Sequence, residues 1–250
     1  MLSDKKILLL GDEATDRYYW GHCRDYNPEL SVPILDLQHS EDRPGMAANV
    51  LQNLAAFGFG DIEFRTNGTV SIKHRYMDAR SRQCLMRVDQ DSTGDAITVP
   101  EDLDRFDIVV ISDYGKGGVS PELVQDLRDR YSGPVLIDTK IRDLASLRGC
   151  MIKINLREWE QRTSDPDDVI VTLGDRGASY QGKIYPTTPV ELPDVCGAGD
   201  TFLAGLTAGW LLWGDWERAI PLALASGTRA VRHQGTWCLT EQDAAELCAY

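Results

Sequence analysis

Short apolar runs separated by helical or turn-forming segments recur along the chain, and this alternation limits the possible folds more than any other feature. Most runs are continuous stretches of Ile, Leu and Val with no period-two alternation. Such a run is typical of a strand buried on both faces of a parallel sheet. The runs lie within residues 5–12, 106–113, 133–140, 150–155 and 168–175.

Helical patterns occupy several of the intervals. They combine an apolar face at helical spacing with capping residues such as Ser120 followed by Pro121, or Thr240 followed by Asp243. Strands that alternate with helices predict an α/β three-layer sandwich, with a mainly parallel sheet between the helices. The predicted helices fall within residues 44–58, 122–131, 197–213 and 216–232, with a last one after residue 240.

Two stretches do not fit this scheme. Residues 17–40 are rich in Tyr, Trp, Pro and Val, and residues 69–89 alternate between apolar and polar side chains. Period-two patterning without an intervening helix predicts a separate antiparallel sheet. A small sheet is marginal alone, so we expect it to cover something or to pair with its own copy. We interpret it as a lid on a single domain of residues 1–250, with a further hairpin turning near Gly182 and Lys183.

Composition excludes several classes of protein. The net charge is −13, with 39 acidic against 26 basic residues, which argues against nucleic acid as a partner. The six cysteines are scattered without a C-x-x-C pair, and the four histidines show no ligand spacing, so neither a zinc site nor a disulfide framework is predicted. The apolar run near the N-terminus is too short for a signal peptide or a membrane span. We expect a cytoplasmic protein.

Residues 194–202, DVCGAGDTF, place two glycines and an alanine before a carboxylate at the start of a predicted helix. Amides without bulky side chains at a helix N-terminus form an anion hole, and Asp200 there can accept a proton from an attacking hydroxyl. The alternative is a carboxylate that only stabilises the helix dipole. A P-loop is excluded, because no G-x-x-x-x-G-K-[ST] pattern occurs.

DVCGAGDTFLAGL resembles the signature of the ribokinase-like (PfkB-type) carbohydrate kinases, D-T-x-G-A-G-D. The resemblance implies an ATP-dependent sugar kinase in which Asp200 is the catalytic base and Gly197, Ala198 and Gly199 are the anion hole. Val195 and Cys196 depart from the signature without removing a group that the chemistry needs.

Further segments resemble the heptose 7-phosphate kinases within that superfamily, which act in making the ADP-heptose precursor of lipopolysaccharide. The similarity therefore implies transfer to the anomeric hydroxyl of a heptose 7-phosphate. A kinase for another sugar and a non-catalytic sugar- or nucleotide-binding relative are the alternatives. The similar segments are GDEATDRYYWG, NPELSVPIL, DRPGMAANV, SIKHRYMDARSRQCLMRVDQD, SDYGKGGVS, VLIDTK, KINLREWE and VTLGDRGASY.

Six side chains or backbone positions are assigned to the sugar phosphate by this resemblance. Carboxylate and amide groups hold sugar hydroxyls, and cations hold the substrate's phosphate. Each assignment has a plainer alternative: an exposed loop acid, an N-terminal turn or a solvated surface cation. Met46 replaces a family glycine, and its side chain is expected to intrude on or reshape the sugar site. The assigned residues are Asp16, Gly45, Asn49, Arg75, Arg87 and Lys116.

The nucleotide side is assigned in the same way. Asn155 and Glu158 of the N-x-x-E motif are expected to orient water-coordinated Mg²⁺, since Mg²⁺ takes few protein ligands. Their i, i+3 spacing also suits an ordinary helix start. The remaining residues expected to contact ATP are Thr172, Gly174, Gly177 and Gly235.

The chain is shorter than the family in two places. Residues 58–72 stand where relatives carry a further βα unit, and residues 161–168 stand where they carry a helix. Losing these covering layers is expected to expose apolar surface unless a partner covers it. We therefore expect a compact kinase that forms a homodimer through its lid.

Overall fold

The computed structural model describes residues 2–191 and 194–249. Its strands are β1 (Lys6–Gly11), β2 (Glu13–Tyr26), β3 (Pro33–Met46), β4 (Asp61–Arg65), β5 (Val70–Asp78), β6 (Cys84–Gln90), β7 (Ile108–Ser112), β8 (Val135–Asp138), β9 (Met151–Asn155), β10 (Val169–Thr172), β11 (Ala178–Tyr180) and β12 (Lys183–Tyr185). Its α-helices are α1 (Ala47–Ala56), α2 (Pro121–Arg130), α3 (Leu156–Glu160), α4 (Ala198–Trp213), α5 (Trp216–Ala230) and α6 (Glu241–Cys248).

Eight strands form the main sheet, in the order β12-β11-β10-β9-β8-β7-β1-β4. The six strands from β10 to β4 pair in parallel, and the β11–β12 hairpin adds an antiparallel edge. All five apolar runs are strands of this sheet, as the sequence predicted. The carboxyl ends of β1, β7, β8 and β9 therefore meet at one edge, which is where α/β sheets bind ligands.

Helices cover both faces of the main sheet. Ile7 and Leu9 of β1 face a core shared with α1, α4, α5 and α6, whereas Leu8 and Leu10 face a core shared with α2. The predicted three-layer α/β sandwich is confirmed. No helix of the described residues is long and apolar enough to cross a bilayer.

The second sheet has four strands in the order β3-β2-β5-β6. Its two hairpins, β2–β3 and β5–β6, are antiparallel as the sequence predicted, and they meet through one parallel pair, β2–β5, which the sequence did not predict. The reason is topological. β2 continues from β1 and β5 follows β4, and because β1 and β4 are parallel, their continuations run in the same direction.

Candidate active site

Asp200 lies in the first turn of α4, at the carboxyl edge of the main sheet, with 3% of its surface exposed. Its Oδ1 accepts a hydrogen bond from the Tyr114 hydroxyl at 2.7 Å, and its Oδ2 accepts one from Asn49 Nδ2 at 2.9 Å. Burial raises the pKa of Asp200 to about 6, although the two hydrogen bonds act in the opposite direction. The carboxylate is thus ionised near neutral pH and closed off from solvent.

Asn49 is fully buried in the first turn of α1, and its amide orientation is fixed. Its Oδ1 accepts from Asn53 Nδ2 and from Cys238 Sγ, each at 3.1 Å, which leaves Nδ2 directed at Asp200. The sequence assigned Asn49 to the sugar. The structure places its amide on the predicted catalytic base.

Ala198 and Gly199, the two residues before Asp200, line a cavity of about 600 Å³. Gly197 precedes α4 with a φ of 74°, and a Cβ on it would lie 2.7 Å from Asn49 Nδ2, so glycine is needed here for both conformation and space. Of the predicted anion hole and nucleotide site, six residues line this cavity together: Asn155, Thr172, Gly174, Gly177, Ala198 and Gly199.

Lys153 is a cation in this cavity that the sequence did not single out. Its Nζ forms a buried ion pair with Asp138 at 2.6 Å, and a Cβ on Gly199 would lie 3.1 Å from that nitrogen. Asp138 balances the charge of this ammonium, but its remaining N–H groups lie beside the N-terminus of α4, where an anion would bind. The sequence feature that could have identified Lys153 is its position on β9, two residues before the N-x-x-E motif.

Asn155 and Glu158 form a capping box at α3. Asn155 Oδ1 accepts from the Glu158 amide at 2.9 Å, and Glu158 Oε2 accepts from the Asn155 amide at 2.8 Å. The other Glu158 oxygen pairs with Lys140. No group of three acidic, His or Cys side chains that could hold a metal occurs within residues 2–191 and 194–249. A role for Asn155 and Glu158 towards Mg²⁺ stays a prediction.

Gly235 lies apart from the other predicted nucleotide residues. Its amide donates to Asp194 Oδ2 at 2.8 Å, and a Cβ on it would meet the Tyr18 hydroxyl at 2.7 Å. The structure therefore places Gly235 against the four-stranded sheet.

A buried charge cluster lies where β2 and β5 of the four-stranded sheet meet the segment after α5. Asp16 is 3% exposed; it accepts from Arg75 Nε at 2.9 Å and from Thr236 Oγ1 at 2.9 Å. A Cβ on Gly45 would come within 2.7 Å of Asp16 Oδ2, so only glycine fits there. Three predicted sugar residues are thus brought together, and Thr236 is a partner that the sequence analysis missed.

The two other predicted phosphate ligands point elsewhere. Lys116 Nζ pairs with Asp91 at 2.7 Å. Arg87 pairs with Asp89 at 2.9 Å, and its side chain is 54% exposed. Both cations are therefore engaged by acidic neighbours.

Met46 has a backbone conformation that favours glycine. Its φ of 54° and ψ of −133° lie outside the regions that residues with side chains populate readily. The side chain is nevertheless buried, with 3% of the residue exposed. This conformation explains physically why a glycine suits the position.

Tyr114 is the most important residue that sequence reasoning missed. It lies two residues beyond the end of β7 at the carboxyl edge and two residues before Lys116, and this position could have identified it from the sequence. Burial and the charge of Asp200 raise the pKa of Tyr114 well above its usual value, so its hydroxyl stays protonated and donates.

The edge thus places the N-terminus of α4 and a lysine around a cavity, with the buried carboxylate of Asp200 one residue beyond Gly199. Such an arrangement can hold a phosphorylated ligand and accept a proton from a neighbouring hydroxyl.

Similarity to known proteins points the same way. Residues 135–242 match the family described as pfkB family carbohydrate kinase. The chain is 32% identical to the "Bifunctional protein HldE" of Pseudomonas paraeruginosa over 88% of this chain and 59% of the relative. It is 26% identical to the protein of that name from a Bradyrhizobium species, over 97% and 63%. The chain thus spans about three fifths of the length of the curated relatives that it matches.

Solved structures share the fold. A ribokinase from Thermotoga maritima superposes with a TM-score of 0.68 at 15% identity, covering 98% of this chain and 100% of that one. Phosphofructokinase-2 of Escherichia coli, in complex with potassium, gives 0.70 at 17% identity, with 98% of each chain covered.

Proposed function

We propose that the chain is a carbohydrate kinase of the pfkB family and that it transfers the γ-phosphoryl group of ATP to the anomeric hydroxyl of a heptose 7-phosphate. The bifunctional HldE relatives and the heptose-kinase-like segments support this substrate. A kinase for another sugar phosphate is the alternative, supported by Met46, where the family carries glycine.

One observation carries the proposal. The Ala198 and Gly199 segment at the N-terminus of α4 lines the cavity, and the next residue is the buried carboxylate of Asp200. An anion-binding helix terminus adjoining a proton acceptor is what phosphoryl transfer to a hydroxyl requires.

The residues would act as follows. The acceptor oxygen bonds to the γ-phosphorus while the bond to the β–γ bridging oxygen breaks, and the acceptor proton passes to Asp200. Amides of the α4 N-terminus and the Lys153 ammonium stabilise the charge on the phosphoryl oxygens. Closure of the four-stranded sheet over the sugar would exclude water.

The cavity residues fit ATP and do not offer a ready-made metal cage. Backbone amides and Lys153 provide donors for phosphate oxygens, whereas Glu158 is engaged by Lys140 and by its own capping box. Mg²⁺ would therefore enter with the nucleotide and keep most of its waters, with Asn155 and Glu158 contacting those waters. The bound ion supplies further charge neutralisation.

The test is ADP release over a panel of sugar phosphates that includes D-glycero-β-D-manno-heptose 7-phosphate. We expect that heptose to be turned over fastest. Asp200→Asn removes the proton acceptor, so turnover should fall by about two orders of magnitude or more while ATP binding persists. Undiminished turnover by D200N would refute the role of Asp200. Calorimetry that shows sugar binding without ADP formation by wild type would favour a non-catalytic relative.

We further propose that the protein is a cytoplasmic homodimer that pairs through the outer face of the four-stranded sheet. Strand β6 carries Met86 and Val88 there, exposed by 53% and 43%. Exposed apolar side chains on a small sheet favour a protein partner.

A further inference from the structure

Tyr114 contacts the one oxygen of Asp200 that no other side chain of the described residues holds and that could take the proton of a sugar hydroxyl. Asn49, which is fully buried, holds Oδ2, and the Tyr114 hydroxyl donates to Oδ1 at 2.7 Å. A sugar hydroxyl that is about to lose its proton must donate to the same carboxylate. A carboxylate oxygen can accept two hydrogen bonds, but Asp200 is 3% exposed, so a sugar hydroxyl that approaches Oδ1 meets the phenol there.

Two cations lie close to the ring of Tyr114. Lys73 Nζ lies 5.3 Å from the ring centroid and Lys140 Nζ lies 5.2 Å from it. Lys73 belongs to β5 of the four-stranded sheet, whereas Lys140 follows β8 of the main sheet. Cation–π contacts from two different sheets orient the ring, and a movement of the four-stranded sheet would remove one of them.

The backbone beneath the ring is fixed. Asp12 is 1% exposed, and its Oδ2 accepts from the amides of Tyr114 and Lys116 at 2.8 and 3.0 Å. The hydroxyl therefore leaves Asp200 by rotation of the Tyr114 side chain, while the backbone stays in place.

We propose that Tyr114 is a positioning residue. Its hydroxyl donates to Oδ1 of Asp200 until the reacting hydroxyl of the sugar displaces it and donates to the same oxygen. This inference rests on the proposed kinase function. In the sugar-free enzyme the phenol keeps water off Oδ1. Otherwise, a water oxygen would bond to the γ-phosphorus of bound ATP while the bond to the bridging oxygen broke, and the water proton would pass to Asp200.

Tyr114→Phe tests whether the sugar hydroxyl replaces the phenol on Asp200, because it removes only the phenol hydroxyl. The KM for the best sugar phosphate of the panel should fall about tenfold, since a hydrogen bond to a charged group no longer competes. ADP release from ATP without sugar should rise, and kcat should change little. A Y114F enzyme with wild-type KM and wild-type sugar-free hydrolysis would overturn the proposal, as would a loss of kcat at constant KM.

Tyr180→Phe is the matched control. Tyr180 is also buried and also donates to an aspartate, Asp168, at 3.3 Å, but it lies on β11 near the far edge of the main sheet. Y180F should keep the KM and the sugar-free hydrolysis of wild type. Changes equal to those of Y114F would mean that the effect is not specific to Asp200, and the proposal would fail.

A second measurement does not depend on the stability of Y114F. 3-Fluorotyrosine introduced at position 114 keeps the hydroxyl and reports its surroundings through its ¹⁹F resonance. Saturation with the heptose phosphate should shift that resonance, and an unchanged signal with bound sugar would overturn the exchange. If wild type phosphorylates no sugar, the proposed function fails, while the ¹⁹F signal still decides whether a bound sugar displaces the hydroxyl.

Discussion

The buried and ionised carboxylate of Asp200 lowers the free energy of unfolding of the protein. Burial raises its pKa from 3.8 to about 6, so its contribution to folding is favourable while it is protonated and is lost as the pH rises through about 6. At pH 8 the ionised carboxylate costs up to about 3 kcal/mol. D200N, neutral throughout, should therefore gain stability over wild type between pH 4 and pH 8, as measured by urea denaturation. A difference that does not change with pH would contradict this.

Met46 gives a second test at the residue scale. Its φ of 54° and ψ of −133° cost a residue with a Cβ about 1–3 kcal/mol, which glycine avoids. M46G and M46A lose the same buried contacts, so M46G should be the more stable variant by roughly 1 kcal/mol in urea denaturation. The neighbouring Ala47, inside α1, provides the control, since A47G should be less stable than wild type. The reverse order for M46G and M46A would show that position 46 is not strained.

At the scale of elements, strands and helices followed from local patterns, but pairing between distant segments did not. The runs of β1, β7 and β8 are apolar throughout and their burial follows directly. Strand β5 has a clear period of two, yet its parallel pairing with β2 depends on β1 and β4 lying side by side. Hydrophobic periodicity carries no information on that arrangement.

The candidate site shows the same difference between features that a local sequence pattern predicts and contacts between distant segments. Gly197, Ala198 and Asp200 are adjacent in the sequence, so their assembly at one helix N-terminus was predictable. Tyr114 reaches Asp200 across 86 positions of sequence, and nothing local to either residue encodes that contact. The contacts of Lys116 and Arg87 with nearby aspartates depend on side-chain orientation, which the spacing of charges does not fix.

At the scale of the whole molecule, a segment without helix or strand, residues 91–107, lies over part of the main sheet. The expected exposure of the main sheet does not occur beside β1, because Leu8 and Leu10 are fully buried. The segment that covers them contributes Ile97, Leu103 and Phe106 to the same core. Most of the large apolar side chains that remain exposed lie instead in the four-stranded sheet and its β2–β3 connection.

That sheet is the surface on which a dimer is expected. Val88 pairs with His74, and Met86 pairs with Tyr76, on the face opposite the buried Tyr18. An Asp on this face would be desolvated in the pairing of two copies, so V88D and M86D should shift the protein from dimer to monomer in light scattering at micromolar concentration. Ile184 on β12 is 62% exposed and offers the control, because I184D should leave the dimer intact. A wild-type monomer under these conditions would remove the proposed interface, and the exposed face would then need another partner.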